Sequence, residues 1–251
     1  MTKRHGIPAA VAILAAVFIA AGNRGQNGAA GDAASQVTAP SVDQVLARLA
    51  DANRRREHLL VGYSAFRTYQ AENSFTHSQA EMDVKIRFQS PATKEFVVVS
   101  ESGTRIIRSR VFKPALNAEK EALRPDAKKR SAISLDNYEF SFAEEQELRS
   151  RRCYVLNLRP RRNDKFLLRG RAWIDADDYA LVRVEGELVK LPSFWTRKVE
   201  YRRDYQKVGD VWLPLRDESV SQLLLFGKSS LTITYSDYQI QVRESSDSAA
   251  K

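Results

Sequence analysis

The chain has 251 residues, 43% of them hydrophobic, and carries 40 Lys and Arg against 31 Asp and Glu, a net charge of +9 at pH 7. Its single cysteine, Cys153, excludes an intrachain disulfide and a thiolate metal cluster and reads as a small buried residue. The basic excess is scattered among acids along strand-like runs, which points away from nucleic acid and toward transient contact with an anionic membrane surface or an acidic partner.

Lys3, Arg4 and His5 precede an apolar run from Ile7 to Ala21, and Ala20 and Gly22 supply the small residues of a cleavage site. Residues 1–22 are therefore predicted to be a signal peptide, and the mature chain to be soluble in the periplasm. A run of about 15 apolar residues falls short of the roughly 20 that a spanning helix needs. No cysteine follows it, so no lipoprotein acylation site is present there. Residues 23–40 are rich in Gly, Ala, Ser, Asn and Gln, a composition that buries too little surface to offset the entropy of ordering, and are read as a flexible leader. Residues 41–243 are read as a single domain, and 244–251 as a polar tail.

Ser41 and Gln44 have the spacing of a capping box, and Val42, Val45, Leu46, Leu49 and Ala52 follow at helical spacing. Arg54, Arg55 and Arg56 then form a solvated helix end. Strands are predicted over 62–72, 79–89 and 94–101. The second alternates without a break: Ala80, Met82, Val84, Ile86 and Phe88 interleave with Glu81, Asp83, Lys85 and Arg87, giving one apolar face and one wet one. Ile107, Val111, Ala115, Ala118 and Ala122 recur at helical spacing through Pro114, which predicts a kinked helix or two short ones. Further strands are predicted over 136–143, 152–159, 165–175, 180–190, 196–207, 211–224 and 228–242, separated by turn residues such as those of "DADD" and "KVGD". Pro214 lacks the donor a ladder needs and implies an edge or a bulge.

This order predicts an α+β fold, a curled antiparallel sheet forming an open half β-barrel covered by a helical lid, because a sheet of about ten strands accumulates twist and cannot stay flat. The concave face should hold an apolar cavity walled by Met82, Val84, Ile86, Phe88, Phe96, Val98, Phe166, Leu168 and Ile174, with Val45, Leu46, Leu49, Ile107 and Val111 on the lid. A hollow larger than about 300 Å³ would mark a ligand site. Phe194 and Trp195, beside a turn, form a candidate partner rim.

Enzyme signatures are missing. His58 and His77 lack the spacing of a metal pair, and there is no G-x-S-x-G elbow, phosphate-binding glycine loop or Cys/His nucleophile pattern. Asp175, Asp177 and Asp178 resemble an oxygen-lined calcium loop, but they lie between two alternating runs without its glycine or distal glutamate, and read as a hairpin turn. No catalytic residue, metal or cofactor is predicted.

With its signal peptide, capped helix, three strands and helical insertion, followed by strands containing "AWIDADDYALVRVEGEL" and "YQKVGDVWLP", the chain resembles the periplasmic lipoprotein-carrier superfamily with the LolA/LolB-like fold. The resemblance implies a non-catalytic carrier that shelters an acyl lipid or lipoprotein under a lid and hands it to a partner at the inner or outer membrane. The alternative expectation is an envelope sensor or protein-binding module on the same fold, with no transported ligand. In carriers an arginine before a proline at the end of the second strand latches the lid; here Ser90 precedes Pro91.

Overall fold

A computed structural model describes residues 40–91 and 93–243, so the predicted signal peptide, the leader before Pro40 and the tail lie outside the described residues. The capping box forms as expected: Gln44 N–H donates to Ser41 Oγ at 3.3 Å and Ser41 N–H donates to Gln44 Oε1 at 2.9 Å. It starts α1 (Val42–Leu59), which runs without a loop into β1 (Leu60–Asn73). Then come β2 (Ser78–Gln89) and β3 (Thr93–Gly103).

The predicted kink at Pro114 takes a specific form. A short α2 (Arg105–Ile107) widens into a π-helical turn (Arg108–Phe112) before α3 (Lys113–Ala122), and α4 (Pro125–Ser131) follows. Pro114 has no N–H to give residue 110 and its ring crowds that carbonyl, so the preceding turn opens to the wider i→i+5 pattern. Ile107, Val111, Ala115 and Ala122 all face inward, as their spacing predicts.

The remaining strands are β4 (Tyr138–Leu148), β5 (Arg151–Pro160), β6 (Leu168–Asp175), β7 (Leu181–Leu188), β8 (Thr196–Val208), β9 (Val211–Leu223) and β10 (Lys228–Val242). All belong to one ten-stranded sheet in the order β3-β2-β1-β10-β9-β8-β7-β6-β5-β4. Every neighbouring pair is antiparallel. The sheet is curled and open: β3 and β4 are its edges, and the chain leaving one edge reaches the other through α2 to α4. That connection must cross the sheet, which makes it a lid by topology. Pro214 sits in an interior strand, where the β8–β9 register shifts between Asp204↔Arg216 and Tyr205↔Pro214, the bulge that its missing donor requires.

The predicted strand over 165–175 starts only at Leu168. Residues 165–166 turn, closed by Leu167 N–H donating to Asp164 O at 3.1 Å, so the apolar run "KFLL" is a turn followed by a strand rather than one strand.

Candidate functional site

The two helical elements cover different halves of the concave face. Val45, Leu46 and Leu49 of α1 join Leu156, Leu168, Ile174, Val184 and Val199 in one apolar cluster over β4 to β8. Ile107, Val111, Phe112 and Ala115 of the lid join Tyr69, Met82, Val84, Ile86, Leu231 and Ile233 in a second, over β1, β2 and β10.

Between these clusters runs a band of buried charge. Arg67 of β1 pairs with Glu119 of α3, and Lys94 Nζ of β3 donates to Glu119 Oε2 at 2.9 Å. Tyr69 OH donates to Glu119 Oε1 at 3.1 Å. Farther along, both arms of the Arg203 fork donate to the carboxylate of Asp217, which also accepts from Tyr235 OH at 2.7 Å and Tyr201 OH at 3.2 Å. The Arg67 guanidinium lies 4.4 Å from the Tyr235 ring centroid, linking the two ion pairs. Burial alone would raise the Glu119 carboxyl; Arg67 and Lys94 overcome it and hold the group at about 2. Burial pushes the Tyr69, Tyr201 and Tyr235 hydroxyls well above the usual phenol range, so they remain protonated donors.

The hollow beneath the lid departs from expectation. It measures ≈ 90 Å³ and is lined by Arg56, Arg67, Lys94, Glu119 and Arg203 together with Leu60, Tyr63, Phe88 and Leu213. An apolar cavity of more than about 300 Å³ is replaced here by two packed clusters and a small, charged gap between them. Side chains of the lid itself fill the wall that was expected to be empty. Larger recesses, of ≈ 540 Å³ along β6 to β9 and ≈ 400 Å³ along β1 to β3, lie among side chains such as Arg171, Glu185, Arg202, Glu72 and Glu81.

The structure therefore separates residues that the sequence grouped as one wall. Met82, Val84 and Ile86 face the lid, whereas Leu168 and Ile174 lie under α1. Phe88 stacks on Tyr63 with ring centroids 5.2 Å apart, beside a small cluster of Leu60, Val211 and Leu213. Phe96 packs partly against the lid cluster. Val98, paired with Val84 and so on the same face, is 45% exposed on the edge strand β3. Phe166 is on no strand: it is buried in the turn before β6, between Arg130 at 5.0 Å and Lys165 at 4.8 Å. Phe194 is 77% exposed against a half-buried Trp195, with ring centroids 4.4 Å apart.

Asp175 folds its loop as a hairpin turn. Its Oδ1 accepts from the backbone of Asp177 at 3.0 Å and Asp178 at 2.7 Å, and Arg151 pairs with the same carboxylate. Among the described residues no group of three or more His, Cys, Asp or Glu could hold a metal. Ser90 contributes a backbone N–H to Val61 O at 2.8 Å. The lid is tied elsewhere, by Glu119 to Arg67 and Lys94 and by Lys128 Nζ donating to Pro91 O at 3.1 Å.

Sequence reasoning missed Arg67, Lys94, Glu119, Arg203 and Asp217. A signal existed for three of them. Arg67 sits at the inward parity of β1 between Ala65 and Tyr69, and Arg203 and Asp217 occupy the same parity on β8 and β9. A charge at an apolar-parity position of an interior strand is a buried ion pair waiting for its partner.

The fold and site together define an open, curled antiparallel sheet closed by a tied helical lid, with a charged band across its middle. No protein-family model matches the chain, and no curated protein matches it. Solved structures with a similar architecture include a DUF1329 family protein from Desulfovibrio piger (10% identity over 84% of this chain and 95% of that one, TM-score 0.42). A putative outer membrane lipoprotein-sorting protein domain from Vibrio parahaemolyticus is similar at 11% identity over 82% and 95%, TM-score 0.41. A LolA superfamily protein from Nitrosomonas europaea is similar at 14% identity over 81% and 94%, TM-score 0.36. Among the described residues no helix is long and apolar enough to cross a membrane.

Proposed function

We propose that the chain is an exported, non-catalytic periplasmic carrier whose acyl cargo occupies the ground that the lid fills in the closed state described here. One observation carries this reading: the apolar wall of Tyr69, Met82, Val84, Ile86 and Ile233 is covered by a helix that is broken at a π-turn and tied to the sheet by ion pairs. Such a cover can lift as a unit, and the wall beneath would offer a chain roughly 0.8 kcal/mol per buried methylene. The sequence resemblance to lipoprotein carriers supports the same reading, as do the predicted signal peptide and the modest basic excess that suits a handover at an anionic membrane.

The test is mass spectrometry of organic extracts from the purified protein. Wild type should bring acyl lipid with it. Val84→Glu and Ile86→Glu should abolish this, as should Val98→Glu, which lies at the exposed rim of the same face and does not disturb the packed wall. Lipid retained at wild-type levels by all three folded variants would refute the carrier reading.

A second reading, an envelope sensor or protein-binding module, is favoured by the filled interior and by Phe194 standing exposed beside Trp195. It predicts lipid-free protein in the same extraction.

A further inference from the structure

The hollow at the centre of the concave face carries more positive charge than its acids balance. Arg56, Arg67, Lys94 and Arg203 line it, whereas the carboxylates paired with this group are Glu119 and Asp217. Arg67, Lys94 and Arg203 are buried with those two carboxylates, so one positive charge is left over where burial makes an unmatched charge expensive, and the half-buried Arg56 adds a second at the margin. The hydrogen bonding is incomplete in the same spot. The Nε–H groups of Arg67 and Arg56 are buried and make no hydrogen bond. Arg67 is 2% exposed, and its side-chain hydrogen bonds, to Glu119 and Tyr69, go through Nη1. Arg56 is oriented by Nη1, which reaches Trp212 O at 3.4 Å.

Water could satisfy the two orphaned donors but would not offset the charge. An oxyanion does both, since guanidinium forks match the spacing of phosphate and carboxylate oxygens. The space agrees. At ≈ 90 Å³ the hollow is several times larger than the roughly 10–15 Å³ that one water needs, yet smaller than the roughly 300 Å³ at which pockets for larger organic ligands begin. Leu60, Phe88 and Leu213 at its margin give an apolar exit to whatever is attached to the anion.

We propose that this hollow is an oxyanion site, and that in the loaded carrier it receives the phosphate or carboxylate head of the cargo lipid between Arg56, Arg67 and Lys94. The head-group assignment rests on the carrier reading; the anion site itself does not. It assigns the cargo a class, an amphiphile with an anionic head, and gives the charged band a task beyond tying down the lid.

The two parts separate in a calorimetric titration of the full chain with three probes below their aggregation limits: inorganic phosphate, dodecyl phosphate and dodecyl maltoside. Dodecyl phosphate should bind at least tenfold more tightly than dodecyl maltoside, which has the same chain and a neutral head. Arg56→Gln leaves both core ion pairs in place and should erase most of that preference without changing thermal unfolding; Lys94→Met is the second variant, with the same expected loss. Equal affinity for the two amphiphiles would overturn the anion site while leaving the carrier reading intact. Phosphate alone binding as tightly as dodecyl phosphate would uphold the anion site and overturn its assignment to a lipid head. Binding of none of the three would overturn both.

Discussion

Beneath α1, a capped helix of 18 residues meets β4 to β8 through Val45, Leu46 and Leu49, and the apolar cluster there is continuous from helix to sheet. Over β1, β2 and β10 the cover is a helix in pieces, with a π-turn where α1 has regular geometry and with Glu119 reaching across to Arg67 and Lys94. Apolar packing is non-directional and is lost gradually as surfaces part, whereas an ion pair sequestered from water is lost at once when either partner moves. On the carrier reading proposed above, one half is a permanent core and the other a closure. This difference is what a protein needs if part of its interior is to be exchanged for a ligand.

The largest effect that would test this contrast comes from Glu119→Ala. It strands Arg67 and Lys94 without their carboxylate, a change of about 3–5 kcal/mol for a buried pair broken on one side. If the lid opens as a unit of its own, the loss should appear there: amide exchange over residues 105–122 should accelerate by about a hundredfold or more, at roughly 1.4 kcal/mol per tenfold, while α1 keeps its protection. Acceleration spread evenly over both helices would mean that the two covers are one cooperative unit.

Leu49→Ala probes the other half. Leu49 is 1% exposed in the larger cluster, and the cavity left behind should cost about 3 kcal/mol in urea unfolding. Here the expectation is reversed: the midpoint falls for the whole molecule and the lid's exchange changes only in step with it. Lid exchange that rises more than global stability falls would sink the division.

Acid should act on the lid in the same direction as Glu119→Ala but more weakly, since the protonated group can still hydrogen-bond. The Glu119 carboxyl lies at about 2 in the folded protein, below its ordinary value of 4.5. Its contribution is therefore complete above about pH 4.5 and is lost as pH falls toward 2. Asp164 and Asp175 are also held low, burial being outweighed by hydrogen bonds from Arg130 and from Arg151 and the Asp175 turn, so global stability declines in acid as well. The specific expectation is that lid exchange over 105–122 outruns global destabilisation between pH 4.5 and 3, and that Glu119→Gln removes this excess.

The contrast between the halves also explains what could be read from the sequence. Strands such as β2 are legible because their alternation directly reports a half-buried surface, and Ser41 with Gln44 announces the start of α1. Which strands lie under which helix depends on long-range order, in particular the β1–β10 pairing that places both chain ends of the domain in mid-sheet. Local periodicity holds no record of that, so Ile174 and Val84 looked like one wall. The filled interior was hidden for a related reason: Ile107 and Val111 mark a lid, but only the depth of Phe112, next to Val111, shows that it reaches the sheet. Phe166 was misplaced because a turn fixed by the Asp164 carbonyl leaves no alternation to violate.

The smallest effect tests whether the α1 half is independent at its far end. Ser41→Ala removes the acceptor for Gln44 N–H and half of the capping box, at a cost of about 1 kcal/mol. Fraying should be confined to the first turn, because Val45, Leu46 and Leu49 pin the next two turns to β4 to β8 and the C-terminal end passes directly into β1. The orientation of Arg56 at that end, and with it the lining of the central hollow, should be untouched. The variant should therefore unfold slightly earlier and bind dodecyl phosphate as wild type does. A lowered affinity would show that α1 transmits strain along its length into the charged band, and that the permanent half of the interior is coupled to the closure after all.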